Sequence, residues 1–349
     1  MRVAVTGANG LVGGEAVREL SGPSTPGALR APYARGEREG GADARGEREG
    51  GADARGEREG GADARGERRG VEVLALGRGP CRLAAGAYGY ADADLGDGRS
   101  VEAALLAFRP DAVLHCGAMT DVDACEREPE RAFRVNAGGT EQVARACRAL
   151  GARLVALSTD YVFDGAAGPY REEDAPSPRG AYARSKRAGE EAALAIAPDC
   201  AVARVAVVYG GPPGARATFA GQVVEKLSRG EVVRAFEDQW VSTTLASAGA
   251  ARCLELLLET SYRGVLHASD ATWLDRVDLA RRVARAFGLD PAGIVPVKLA
   301  AAGLLVPRPP RAGLRVERAA ALLRTRPLGI DEALARFRAE REARGAVLR

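Results

Sequence analysis

Residues 2–20 read RVAVTGANGLVGGEAVREL, and the fold of the chain turns on how that stretch is parsed. Residues 2–6 are a short Val-rich apolar run, which predicts a buried strand. Residues 7–13 then place glycines at Gly7, Gly10 and Gly13, and a helical pattern runs on to Leu20. A strand, a tight glycine turn and a helix N-terminus aim backbone N–H groups at one point, and only glycine lets a backbone approach a pyrophosphate closely. The spacing is G-x-x-G-x-x-G rather than G-x-G-x-x-G, so the turn alone leaves a purely structural reading open beside the nucleotide-binding one.

The next element of such a unit is a second strand whose end reads the adenosine ribose. The one good candidate, VEVLALGR at residues 71–78, arrives far too late. Between lies an array: ARGEREGGAD at 34–43, repeated without change at 44 and 54, with an altered copy beginning at 64. Gly7 and Arg78 are 71 positions apart, and without four ten-residue units 31 remain, a normal distance for this unit. Residues 34–69 hold nine arginines and ten acids and no aromatic or β-branched residue, too little apolar surface to offset the entropy of ordering. The array is therefore expected to be a disordered loop inserted between the first helix and the second strand. A passive duplication is the favoured reading and a partner-binding arm the other.

From residue 100 onward, helical stretches (100–108, 129–150, 182–197) alternate with apolar runs (110–118, 152–159, 200–210). That alternation predicts an α/β fold of the Rossmann type, a doubly wound parallel sheet with helices on both faces. Beyond residue 211 the alternation weakens, with helical patterns at 218–229, 246–260 and 274–287 and the run PRPPR at 307–311. The expected organisation is a nucleotide-binding domain over 1–210 and a smaller C-terminal substrate lobe over 211–349, with some of its segments returning to the first domain.

With 50 basic and 47 acidic residues the net charge is +3, which gives no reason to expect nucleic acid or an anionic membrane as partner. Six cysteines show no C-x-x-C spacing, and His115 and His267 stand far apart, so neither a metal site nor a disulfide framework is expected. No secretory leader and no run of roughly eighteen apolar residues is visible, and the expected address is the cytoplasm.

Tyr182 and Lys186 stand four apart in YARSK, which puts both on one helix face. An ammonium beside a phenol lowers its pKa and makes it a usable proton donor or acceptor near neutral pH. Ser158 and Thr159 end the preceding strand, where ligands gather in an open parallel sheet. At the end of the second strand stands Arg78 rather than an acid, a choice that suits the 2′-phosphate of NADPH over the free ribose of NADH.

Taken together and in order, GANGLVG, HCGAMTDVDACE (115–126), VNAGGT (135–140), STDYVFDG (158–165), YARSK and EDQW (237–240) resemble the extended short-chain dehydrogenase/reductases, and within them the dTDP-4-dehydrorhamnose reductase family. The resemblance covers nearly all of the chain outside the array. It implies Tyr182 as the general acid, Lys186 as its tuning partner and ribose ligand, and Thr159 as a hydrogen-bond donor to the substrate carbonyl. It implies that Gly7, Asn9, Gly10, Leu11, Val12 and Gly13 hold the pyrophosphate, that Asp94 and Leu95 bracket the adenine, and that Ala118, Met119 and Thr120 line the centre of the dinucleotide. Asn136 would organise the backbone, and Asp160 and Tyr161 would face a nucleotide sugar.

The implied reaction is NADPH-dependent reduction of a 4-keto-6-deoxy nucleotide sugar, with NADH as the other cofactor, no metal and a homodimer as the commonest assembly. A related epimerase or dehydratase is an alternative, although dehydratases place an acidic pair after the threonine where this chain has Asp160 and Tyr161. Another is a non-catalytic NADP-binding subunit, since the regulatory subunit of methionine adenosyltransferase also resembles this family. Departures fall in the part that reads the sugar: Val207 stands where a tryptophan is expected, Thr218 precedes Phe219, Thr243 and Thr244 follow the Asp-Gln motif, and Ala312 and Gly313 follow Arg308 and Pro309. Bland readings are expected for Cys116 (a small buried hydrophobe), His115 (a core histidine) and Glu15 (a solvated helix residue, though some relatives place an interface magnesium carboxylate there).

Overall fold

The computed structural model describes residues 1–22, 70–211 and 217–345. The decapeptide array, and the expectation attached to it, lie outside the described residues. Six strands, β1 (Arg2–Thr6), β2 (Glu72–Gly77), β3 (Gly89–Asp92), β4 (Ala112–His115), β5 (Arg153–Thr159) and β6 (Cys200–Val205), form one sheet with a seventh at Gly264–His267. The order across the sheet is Gly264–His267, β6, β5, β4, β1, β2, β3, and every pairing is parallel. The chain order reverses between β1 and β4, so the strand ends there open a crevice.

Because the sheet is covered on both faces, its inner strands β1, β4 and β6 are buried along nearly their whole length rather than at alternate residues. Val3 and Val5 of β1 pack on one face with Val12, Ala16 and Val17 of the helix α1 (Leu11–Ser21) and with Leu254 and Leu257 of the helix Ala246–Leu258. Ala4 points the other way, into a cluster with Leu76, Val113, Val143, Leu154 and Val202. The helix Ala246–Leu258 and the strand Gly264–His267, both beyond residue 211, thus belong to the sheet.

Two expected elements are interrupted. The run 200–210 is not one strand: β6 ends at Val205, Val207 takes a positive φ of 28°, and Val208–Tyr209 pairs instead with Thr244–Leu245. The helix expected over 129–150 is continuous but carries a π turn at Arg134–Gly138, flanked by Pro129–Phe133 and Gly139–Leu150. Such wide turns cluster at functional sites because the extra residue re-aims a side chain; here that residue set includes Asn136.

The remaining C-terminal residues build a second core from Tyr209, Val223, Leu245, Leu274, Phe287 and Phe337. Its helices Phe219–Ser228 and Arg276–Ala286 follow the sequence pattern closely, while Ile330–Ala343 was not foreseen. Thr218 caps the first of them, its hydroxyl accepting from Gly221 N–H at 3.2 Å, and Asp275 caps the second. Among the described residues no helix is long and apolar enough to cross a membrane.

Candidate functional site

A cleft of about 670 Å³ lies over the switch point, between the sheet and the second core. The residues expected to bind cofactor or substrate or to react all line it: Gly7 and Asn9 to Gly13 of the turn, Arg78, Asp94 and Leu95, the stretch from Ala118 to Thr120, Thr159 to Tyr161, and Tyr182 with Lys186. The turn is possible because of Gly7, whose φ is +66° and whose missing Cβ would stand 2.5 Å from Gly117 N. Gly10 N–H donates to Gly7 O at 2.8 Å and closes the turn directly under the start of α1. The bare backbone, the helix N-terminus and the nearby cations fit the pyrophosphate of a dinucleotide.

Asn136 joins the two halves of the reactive wall. It is fully buried; its Oδ1 accepts from Met119 N–H at 2.7 Å, while its Nδ2 donates to Met119 O at 3.1 Å and Ser185 Oγ at 3.0 Å. Met119 belongs to the loop after β4 and Ser185 to the helix Gly180–Ile196 that carries Tyr182 and Lys186. One satisfied amide therefore fixes the distance between them.

The expected pairing of phenol and ammonium is not what the structure contains. Lys186 Nζ donates to Leu157 O at 2.8 Å, and burial pulls its pKa down to about 8. Tyr182 moves the other way: burial pushes its phenol above the ordinary value, hydrogen bonding with Thr159 opposes that, and Asp160, Tyr161 and Cys125 add to it. The ammonium is committed to a carbonyl and the desolvated phenol keeps its proton, so Tyr182 stands at neutral pH as an acid rather than as a phenolate.

The facing wall supplies groups the sequence did not single out. Arg276 reaches the cleft from the start of its helix, lies 4.7 Å over the Phe219 ring and donates through Nε to Gln239 Oε1 at 3.1 Å. Gln239 is buried and its Nε2 has no partner among the described residues. Gln239 sat inside the quoted EDQW motif, so a signal existed; Arg276 had none, because its neighbours come from three separate stretches of chain. Arg308, from the Arg-Pro pair, bonds Asp123 of the DVDACE motif at 2.8 Å and ties the lobes together across the sequence.

Asp160 sits between these walls, 2% exposed, with Oδ1 accepting from Thr159 Oγ1 at 3.2 Å and Oδ2 unpartnered among the described residues. Burial pushes its pKa up to about 7, against the pull of Thr159, backbone N–H groups and Arg276. The unfolded carboxyl ionises near 3.8, so between roughly pH 4 and 7 the native state holds the extra proton and stability falls as pH rises. Asp160→Asn removes that term: its melting temperature should exceed the parent's by a margin that grows from pH 5 to 7 and then levels. A margin independent of pH would show that Asp160 ionises normally.

Three bland readings meet different outcomes. His115 is a core histidine, between Thr6 Oγ1 at 2.6 Å and Thr140 Oγ1 at 3.0 Å, with burial and Lys186 holding it down to about 3. Cys116 is only half-buried and lines the cleft, although burial raises its thiol far above the ordinary value. Glu15 is not solvated: it is 1% exposed and paired with Arg18 at 2.7 Å and Arg344 at 2.7 Å, because the chain beyond Ile330–Ala343 returns to α1. Among the described residues no cluster of His, Cys, Asp and Glu is arranged to hold a metal ion.

The family model described as RmlD substrate binding domain matches residues 63–342. The chain belongs to that family. Among its curated relatives, dTDP-4-dehydrorhamnose reductase of Mycobacterium tuberculosis is 43% identical over 197 residues, a match that covers 54% of this chain and 64% of that protein. The chain thus spans just under two thirds of that relative's length. A dTDP-4-dehydrorhamnose reductase of Streptomyces griseus is 37% identical over 238 residues, covering 65% of this chain and 72% of its own. Among solved structures, a hypothetical dTDP-4-dehydrorhamnose reductase from Sulfolobus tokodaii is 28% identical with a TM-score of 0.71, covering 95% of this chain and 98% of that one. In this RmlD-type chain the cleft is where the GANGLVG, STDYVFDG and YARSK stretches meet.

Proposed function

We propose that this protein reduces the 4-keto group of a 4-keto-6-deoxy nucleotide sugar with NADPH, the favoured substrate being dTDP-4-dehydro-L-rhamnose. The observation that carries the reading is the convergence of Thr159, Tyr182 and Lys186 with the glycine turn in one cleft. The names of the relatives support the substrate class.

The glycine turn and Lys186 would hold NADPH, which when bound would supply a hydride. The chain's own part is to place and protonate the ketone. Tyr182, kept protonated by burial, gives its proton to the carbonyl oxygen, and the Thr159 hydroxyl hydrogen-bonds that oxygen as charge develops on it. Lys186, with a pKa of about 8, is still largely charged at pH 7 and stabilises the negative end of the transfer. Arg276, Gln239, Asp160 and Tyr161 form the wall against which a polar, anionic substrate would be oriented. A cytoplasmic address and a homodimer accompany this proposal.

Asp160 followed by Tyr161 counts against a dehydratase, and the retention of all three reactive side chains in one cleft counts against a purely regulatory subunit. The test is a spectrophotometric assay of NADPH oxidation with enzymatically generated dTDP-4-dehydro-L-rhamnose. Turnover is expected; tight NADPH binding without oxidation would favour the regulatory reading instead.

A further inference from the structure

Asn9 occupies the glycine turn, and its side chain is engaged with the loop after β2 and with Tyr90 of β3. Its Nδ2 donates to the Tyr90 hydroxyl at 2.9 Å, Pro80 O at 3.2 Å and Arg78 O at 3.4 Å, while its Oδ1 accepts from Arg82 N–H at 2.9 Å. Tyr90 passes the contact on, donating to Gly79 O at 2.7 Å, and Asp92 Oδ1 accepts from Gly79 N–H at 2.7 Å. The approach needs a bare backbone at Gly77, where a Cβ would lie 2.9 Å from both Asn9 Nδ2 and the Tyr90 hydroxyl oxygen. Residues 78–82 form an exposed loop whose main chain is nonetheless held from beneath at almost every position.

What that loop presents is charge. Arg78 and Arg82 are both exposed and both line the cleft beside the glycine turn, and among the described residues neither guanidinium is paired with a carboxylate. The carboxylate of Asp92, at the end of β3, is engaged with Gly79 N–H. Guanidinium groups present planar donor forks that match a phosphate, and holding their backbone in advance lowers the ordering cost of engaging one.

We infer that Arg82 joins Arg78 in a two-guanidinium seat for the 2′-phosphate of NADPH, and that Asn9 and Tyr90 are positioning residues that hold this seat in register with the pyrophosphate turn. The inference rests on the NADPH reading above and gives Asn9 a different role from that of a direct pyrophosphate ligand. It makes the choice of cofactor depend on a residue of the first turn, about seventy positions before the arginines it steers.

The test is equilibrium binding by fluorescence titration, with NADPH, NADH, adenosine 2′,5′-bisphosphate and 5′-AMP as probes, on the full chain and on Arg82→Ala, Asn9→Ala and Tyr90→Phe. The parent should prefer NADPH to NADH and the bisphosphate to 5′-AMP. Arg82→Ala should weaken NADPH and the bisphosphate on the order of tenfold and NADH and 5′-AMP by less than about twofold. Asn9→Ala and Tyr90→Phe should show the same selective loss at smaller size, with the KM for NADPH rising more than kcat falls. Equal weakening of all four probes by Arg82→Ala, or equal affinity of the parent for NADPH and NADH, would overturn the seat while leaving the reductase reading intact. A parent that binds none of the probes would overturn both.

Discussion

Tyr182→Phe lowers kcat on the order of a hundredfold or more, while the dissociation constant for NADPH stays within about twofold. The substitution removes one hydroxyl and keeps the ring, so the edge contact with Tyr161, at 5.9 Å between centroids, survives. What disappears is the proton that burial holds on the phenol. The measurement is steady-state NADPH oxidation beside a fluorescence titration of the cofactor. A variant that turns over at the parent rate would remove Tyr182 from the proton-donor role, and one that also fails to bind NADPH would indicate a collapsed cleft rather than a missing acid.

The second large effect lies about two turns further along the same helix. Glu190 is buried against Arg204 in a two-pronged pair, Nε to Oε1 and Nη2 to Oε2 both at 2.8 Å, with each side chain 1% exposed, and Arg187 adds a third contact at 2.9 Å. Burial alone would raise the Glu190 carboxyl, but these guanidinium contacts hold it below the usual range. Removing one partner of such a pair strands a buried charge at a cost of about 3–5 kcal/mol. Glu190→Gln should therefore lose stability of that order in chemical denaturation. The double variant Glu190→Leu, Arg204→Met should recover much of it, since an apolar pair of similar volume leaves no orphan charge. The sign with pH follows from the depressed carboxyl: the stabilisation is present above about pH 4.5 and drains away as pH falls through the native value. A single variant as stable as the parent would mean that Arg204 finds another acceptor without Glu190.

How much of this could be read from residues alone depends on the distance over which each contact forms. The glycine turn, the Tyr182 to Lys186 spacing and the Thr159 strand end are local, so a short window of sequence already holds their geometry. Arg78 was recoverable only because an exact repeat could be counted and set aside. Arg276 was not, since its contacts with Phe219 and Gln239 join residues far apart in the chain and no periodicity marks them. Glu15 and Arg344 lie 329 positions apart, and a lone glutamate on an amphipathic helix reads as solvated until a cation arrives from elsewhere. The break at Val207 was hidden for a related reason. An apolar run such as 200–210 predicts burial, but not which of two sheets each half will join.

Local identity also misled over charge. Four-residue spacing put Tyr182 and Lys186 on one face, yet the direction of the phenol's shift was set by what surrounds it, a desolvated cleft and the acidic neighbours Asp160 and Tyr161. The spacing specified the partners, and the packing decided what the ammonium would bind.

The segment after α1 leaves from a helix packed against Ala246–Leu258 and paired through Glu15, and it returns to a strand whose register with β1 is fixed residue by residue from Arg2 opposite Glu72. Both endpoints are set by contacts that take no account of the length between them. The alignment of β2 with β1, and with it the placing of Arg78 beside the glycine turn, is thus written in the residues on either side of the array rather than in the number of its units.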